Sequence, residues 1–175
     1  MNEFSSRLGC LATLVEVAQQ ANVVEGRVRV QKTLYLLKRL GVRELDGVDF
    51  IYHHYGPFSW TVAETLANAV NENVLVEAVD SMEQDKRRYR YTPGNGAAEY
   101  AADLVPASRA IVHAVVERTR SEQWRTLELA ATIDYLEHTG GFSREAAQER
   151  ALLLKPLCAS YTLPALAVLK DLNLA

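Results

Sequence analysis

Three clusters of side chains in this sequence have the types and spacing to do chemistry. Gln31-Lys32-x-x-Tyr35 brings an amide, an amine and a phenol within about one helical turn, a set able to form a binding surface. The competing reading puts Tyr35 in the core with its hydroxyl tied up and Lys32 in solvent. Tyr52-His53-His54-Tyr55-Gly56-Pro57-Phe58-Ser59 joins aromatic and titratable rings to a Gly-Pro bend. It is either a loop that meets a partner or a buried turn whose rings plug the core. Lys86, Arg87, Arg88 and Arg90 interleave with Tyr89 and Tyr91, a pattern that grips a phosphate backbone or an acidic protein surface. The alternative is a solvated face that protects an edge strand with charge.

None of these clusters reads as catalytic. Ser59 follows a Gly-Pro turn without the strand, elbow and helix of a hydrolase, and Cys10 sits beside Leu11 on an apolar helix. Glu64, Asp134 and Glu145 are scattered over helix faces, where a solvated or salt-bridged role is the default. His53 and His54 diverge on an extended chain, and His113 and His138 have no helical His or Cys partner, so no metal is expected. Gly94-Asn95-Gly96 lacks the third glycine and the parallel context of a dinucleotide fingerprint, which leaves a turn-and-cap role and no cofactor. Cys10 and Cys158 are read as free thiols.

The elements that must carry these residues follow from periodicity. Leu8, Leu11, Leu14, Val15 and Ala18 give a helix over 4–21, and Val30, Leu34, Tyr35 and Leu37 give a second from Arg27 that stops at Gly41. Residues 45–58 form a short extended stretch feeding the Gly56-Pro57 turn. Ser59 and Thr61 are both suitable N-caps for a third helix over 60–71, and Thr61 with Glu64 matches a capping box. β-branched residues over 73–79 and strict alternation over 87–92 predict a hairpin with a polar tip, Tyr89 and Tyr91 on one face, Arg88 and Arg90 on the other. Helices are then expected over 97–104, 106–120, 122–138, 143–154 and 164–172, with Pro106 and Pro164 in first turns and Ser143 as a cap.

Three helices followed by a hairpin is the order of a winged helix-turn-helix. The expected architecture is mainly α with a small β-hairpin: a winged-helix-like unit over 1–104 and a helical unit over 105–175, sharing one core. Val30-Gln31-Lys32-Thr33-Leu34-Tyr35-Leu36-Leu37 followed by Phe50-x-Tyr52-x-x-Tyr55-Gly56-Pro57-Phe58-Ser59 resembles the YwgA-like family of bacteria and archaea. It is similar, more distantly, to the phage-associated Panacea domain. The likeness is densest over 27–79 and continues weakly through Leu127-Glu128-Leu129-Ala130 and Leu154-Lys155-Pro156. Val30 and Thr33 depart from the family's usual aliphatic residues. The resemblance implies a small, mostly helical, non-enzymatic protein of the mobile-element, defence or toxin–antitoxin kind, and the Panacea domain is associated with neutralising varied toxins.

Charge discriminates among the possible partners. The net charge is −3, and residues 51–80, which contain the third helix, hold no Lys or Arg, leaving Asn68 and Asn71 to read a base. The leading expectation is therefore a protein-interaction or regulatory module whose partner (a toxin, an effector or itself) meets the basic aromatic wing. A DNA-binding regulator with wing-dominated, salt-dependent binding is the second. An enzyme would need a pocket converging on Tyr35, Tyr52, His54 and Tyr55. Leu152, Leu153, Leu154, Leu163, Leu166, Val168, Leu169, Leu172 and Leu174 exceed what a terminal helix needs for packing, so a homodimer or hetero-complex through the C-terminal helices is expected, the alternative being a terminal helix that simply seals the core. No apolar run is long enough for a membrane span and the N-terminus does not read as a signal peptide, so a cytoplasmic protein is expected.

Overall fold

A computed structural model of the chain describes residues 3–81 and 87–174. It is mainly helical with small antiparallel sheets. The order is α1 (Glu3–Ala21), β1 (Val24–Glu25), α2 (Arg27–Arg39), β2 (Ile51–His53), β3 (Gly56–Phe58), α3 (Trp60–Asn71), β4 (Leu75–Ser81), β5 (Arg87–Pro93), α4 (Ala97–Ala102), α5 (Pro106–Thr119), α6 (Trp124–His138), α7 (Arg144–Leu154) and α8 (Thr162–Asp171). Short 3₁₀ turns at Arg43–Leu45 and Pro156–Tyr161 complete it.

The helices start and stop for local reasons. Of the two hydroxyls offered as caps for α3, Ser59 is the one used: its side chain accepts from the Val62 N–H, while Glu64 turns to Arg7. Ser143 caps α7 in the same way through Ala146. Gly41, in the left-handed region at φ 83°, ends α2. Helix α8 begins at Thr162, so Pro164 lies two residues further in than expected, still within the first turn, where a missing N–H costs nothing.

Strand pairing departs from the sequence pattern in two places. Val24–Glu25 pairs antiparallel with β5, making a three-stranded sheet of order β1-β5-β4, because Val24 lies opposite the buried Tyr91. Ile51–His53 and Gly56–Phe58 pair into their own two-stranded hairpin, so the extended stretch and its turn are one element.

The core is one apolar cluster running from Cys10 to Leu172. Helix α2 is buried on every side from Val30 to Leu37, and α6 from Thr126 to Asp134. These two helices pack on each other, and α6 also meets β3, α7 and α8. A helix enclosed all round has no solvent face for its polar residues, so each must find a partner inside the protein. Both cysteines are buried and free. Among the described residues no helix is long and apolar enough to cross a membrane.

Candidate functional site

The Gln31-Lys32 pair grips the Gly-Pro turn. The Gln31 amide pairs in both directions with the backbone of Ser59: Nε2 donates to Ser59 O at 3.0 Å and Oε1 accepts from Ser59 N at 2.9 Å. Lys32 Nζ donates to Pro57 O at 2.7 Å. Lys32 is 1% exposed, which overturns the reading that places it in solvent. Burial pulls its ammonium down to about 7, and nearby Lys155 acts in the same direction while Glu128 opposes both.

A second lysine holds the hairpin from the other side. Lys155 Nζ donates to His54 O and pairs with Glu128 Oε1 at 3.0 Å, both side chains 5% exposed. Its ammonium also lies 5.8 Å from the ring centres of Tyr52 and Tyr55. Cys158 Sγ sits 3.7 Å from Glu128 Oε2, and burial together with that carboxylate pushes the thiol up to about 11. Gly56 lets the hairpin lie against α6. It sits at φ 83°, and a Cβ there would fall 2.3 Å from Thr132 Oγ1.

Tyr35 is a core residue, in keeping with the structural alternative. Its hydroxyl donates to Asp134 Oδ2 at 2.6 Å, and Arg39 Nε donates to the same oxygen at 2.7 Å. Asp134 is therefore neither scattered nor solvated: it is enclosed in α6 and paired. The phenol is pushed up by burial first and by the carboxylate second. Asp134, Arg39, Glu128 and Lys155 were not singled out as site residues. For the two carboxylates, the signal available was an acidic residue inside an apolar helical run, which can stay charged there only if paired.

The turn combines both sequence readings. Its backbone is interior, with Gly56, Pro57 and Ser59 buried, but its rings face outward: Tyr52 and His54 are exposed, Tyr55 is 54% exposed and Trp60 62%. His53 is half-buried, 5.1 Å from Phe58 between ring centres, and Phe58 meets Trp60 edge-on at 5.0 Å.

The wing divides by face, as alternation requires. Tyr91 is buried, its hydroxyl donating to Glu77 Oε2 at 2.7 Å and accepting from Arg27 Nε. Tyr89 is half-buried beneath the Arg27 guanidinium, 4.0 Å from the ring centre. Tyr91 is thus closed off, while Tyr89 stays half-buried against α2's first residue. Arg90 pairs with Asp80 at 3.0 Å. Arg87 and Arg88 remain exposed, and Lys86 lies outside the described residues.

Two further surfaces stand out. A cavity of about 600 Å³ is lined by Lys32, Gln31, His53, Tyr55 and Phe58 together with one side of α3. It includes Tyr55 but not Tyr35, Tyr52 or His54, so it is not the convergence that an enzyme reading asks for. On the C-terminal side Leu153, Leu157 and Leu163 are 75–80% exposed, whereas Val168, Leu169 and Leu172 pack inward.

No protein-family model matches the chain. It is similar to the uncharacterized protein YwgA of Bacillus subtilis (strain 168), 26% identical over 147 residues that cover 82% of each chain. That similarity supports a YwgA-like family.

Proposed function

We propose that this chain is a non-enzymatic, regulatory protein-interaction module on a winged-helix-like core, whose partner is another protein. The observation that carries the reading is the exposure of Leu153, Leu157 and Leu163, 75–80% each, within one short stretch of the C-terminal side. Leucines left largely in water forgo the burial that would stabilise them, and three of them between residues 153 and 163 fit a surface that another protein covers. The fate of the titratable groups supports the non-enzymatic half: Lys32, Lys155, Glu128, Tyr35 and Asp134 are all engaged in holding α2, α6 and the hairpin together. The order α1-β1-α2-β2-β3-α3-β4-β5, with β1 added to the β4-β5 hairpin at β5, supports the winged-helix core. The support for an antitoxin-like role is the motif's resemblance to the Panacea domain.

A photo-crosslinking amino acid at Leu157 or Leu163, used in the native host, tests this. A discrete protein adduct at these positions, absent at exposed Glu99 and lost in Leu153→Asp, is the expected result. No adduct from a folded protein removes the reading. A DNA-binding regulator is the second reading, favoured by exposed Arg87 and Arg88 but resisted by α3, whose exposed Ala67, Asn68 and Asn71 bring no cation to a phosphate.

A further inference from the structure

The cavity beside α3 has a chemistry of its own. One wall is the α3 stripe Ala63, Leu66, Ala67 and Val70, spaced by three and four residues; the facing wall is Arg27, Val28, Gln31 and Lys32 of α2. Alanines at two stripe positions leave the space that larger side chains would fill. At about 600 Å³ the cavity falls in the range that holds small organic ligands.

Its charged lining residues are Arg27, Lys32 and Glu77. Glu77 already accepts from the Tyr91 hydroxyl and faces Arg27 at 3.5 Å, so the unspent charge is positive. Lys32 is the anomaly. An ammonium has three N–H donors, and among the described residues this buried one makes a single hydrogen bond, to Pro57 O. Glu128, the carboxylate nearest to it in effect, is paired with Lys155. A buried cation with two unspent donors at the edge of an apolar cavity is stabilised by an anion entering that cavity.

We propose that the cavity binds a small, flat, apolar carboxylate, its hydrocarbon against Val28, Leu66, Val70 and Phe58 and its carboxylate on the Lys32 ammonium. None of Leu153, Leu157 and Leu163 lines the cavity, so its test is read separately from that of the protein-interaction reading.

Calorimetric titration of the full chain with 2-naphthoate and with 2-naphthalenemethanol tests it. The carboxylate is expected to bind at least about tenfold more tightly than the alcohol at pH 6.5, the worth of one charged hydrogen bond. That preference shrinks at pH 8.5, because Lys32, which titrates at about 7, loses its charge; the groups around it are Glu128 from α6, Lys155 after α7 and His53 from the hairpin. Lys32→Met removes the preference and leaves alcohol binding in place. Ala67→Trp, at an exposed position on the wall, abolishes both and keeps the protein folded. Equal affinity for acid and alcohol, or naphthoate binding undiminished in Ala67→Trp, overturns the proposal. Both comparisons stand without Lys32→Met if that variant fails to fold.

Discussion

Lys32 of α2 and Lys155 after α7 hold carbonyl oxygens of the same hairpin, Lys32 at Pro57 and Lys155 at His54, and the carboxylate of Glu128 stands between the two ammonium groups in charge. The hairpin is thus fixed to both halves of the chain by buried cations.

Removing the shared carboxylate should be severe. Glu128→Leu leaves the buried Lys155 ammonium unpaired and removes the carboxylate that favours charge on Lys32, and loss of one partner of a buried pair costs about 3–5 kcal/mol. Glu128→Leu with Lys155→Met removes the stranded charge as well and is expected to recover a measurable part of that loss. Urea denaturation of the single and double variants gives the coupling. Additive losses would show that Glu128 and Lys155 do not stabilise each other.

The same cluster fixes a pH dependence. Lys32 has a folded value of about 7 against an ordinary 10.5, so between those values the unfolded chain binds more protons than the folded one, and stability rises with pH. The buried phenol of Tyr35 and the thiols of Cys10 and Cys158 are pushed upward instead, and they oppose this only as pH climbs through the ordinary values of 9 and 10. The clean window is therefore roughly pH 7 to 8.5, where the limiting slope for one proton is about 1.4 kcal/mol per pH unit. Urea midpoints should increase across it in the wild type and stay flat in Lys32→Met.

Much of this arrangement was legible in the sequence, and its gaps have physical causes. Helix ends followed from Ser59, Gly41 and Ser143 because caps act locally. The Gln31-Lys32 motif and the Tyr-Gly-Pro turn were both visible, but not that one grips the other, since that contact depends on how α2 lies against the hairpin. Tyr35 was readable as core. Asp134 was not readable as its partner, because helical spacing places a carboxylate on a face without saying whether another helix covers that face. Val24–Glu25 was missed as a strand because two residues carry no periodicity; only pairing with β5 defines them.

Gly56 offers a test of how closely the hairpin meets α6. Gly56→Ala is expected to cost more than Gly26→Ala, although both sit at positive φ, because nothing lies within 4 Å of a Cβ at Gly26 while Thr132 Oγ1 lies 2.3 Å from one at Gly56. Positive φ strains an alanine at either position, so the share due to Thr132 is the part of the Gly56→Ala cost that relief of that contact returns. Adding Thr132→Ala to Gly56→Ala should return the difference, read from denaturation midpoints. Equal costs at the two glycines would mean the hairpin can lift away from α6.

The wing separates the two functional readings through its free cations. Arg90 is tied to Asp80, and Tyr89 and Tyr91 face the Arg27 side, so contact with a nucleic acid through the wing falls to Arg87 and Arg88 among the described residues. Fluorescence anisotropy of labelled duplex DNA at about 50 and 200 mM salt measures this, since each phosphate contact adds to the slope of affinity against salt. Two such contacts with an α3 that carries no cation give weak, shallow binding, and Arg87→Glu with Arg88→Glu should abolish it without moving the thermal midpoint, as exposed charges contribute little to folding. A steep slope that survives this double reversal would need cations the wing does not supply, and would turn the argument toward another face of the protein.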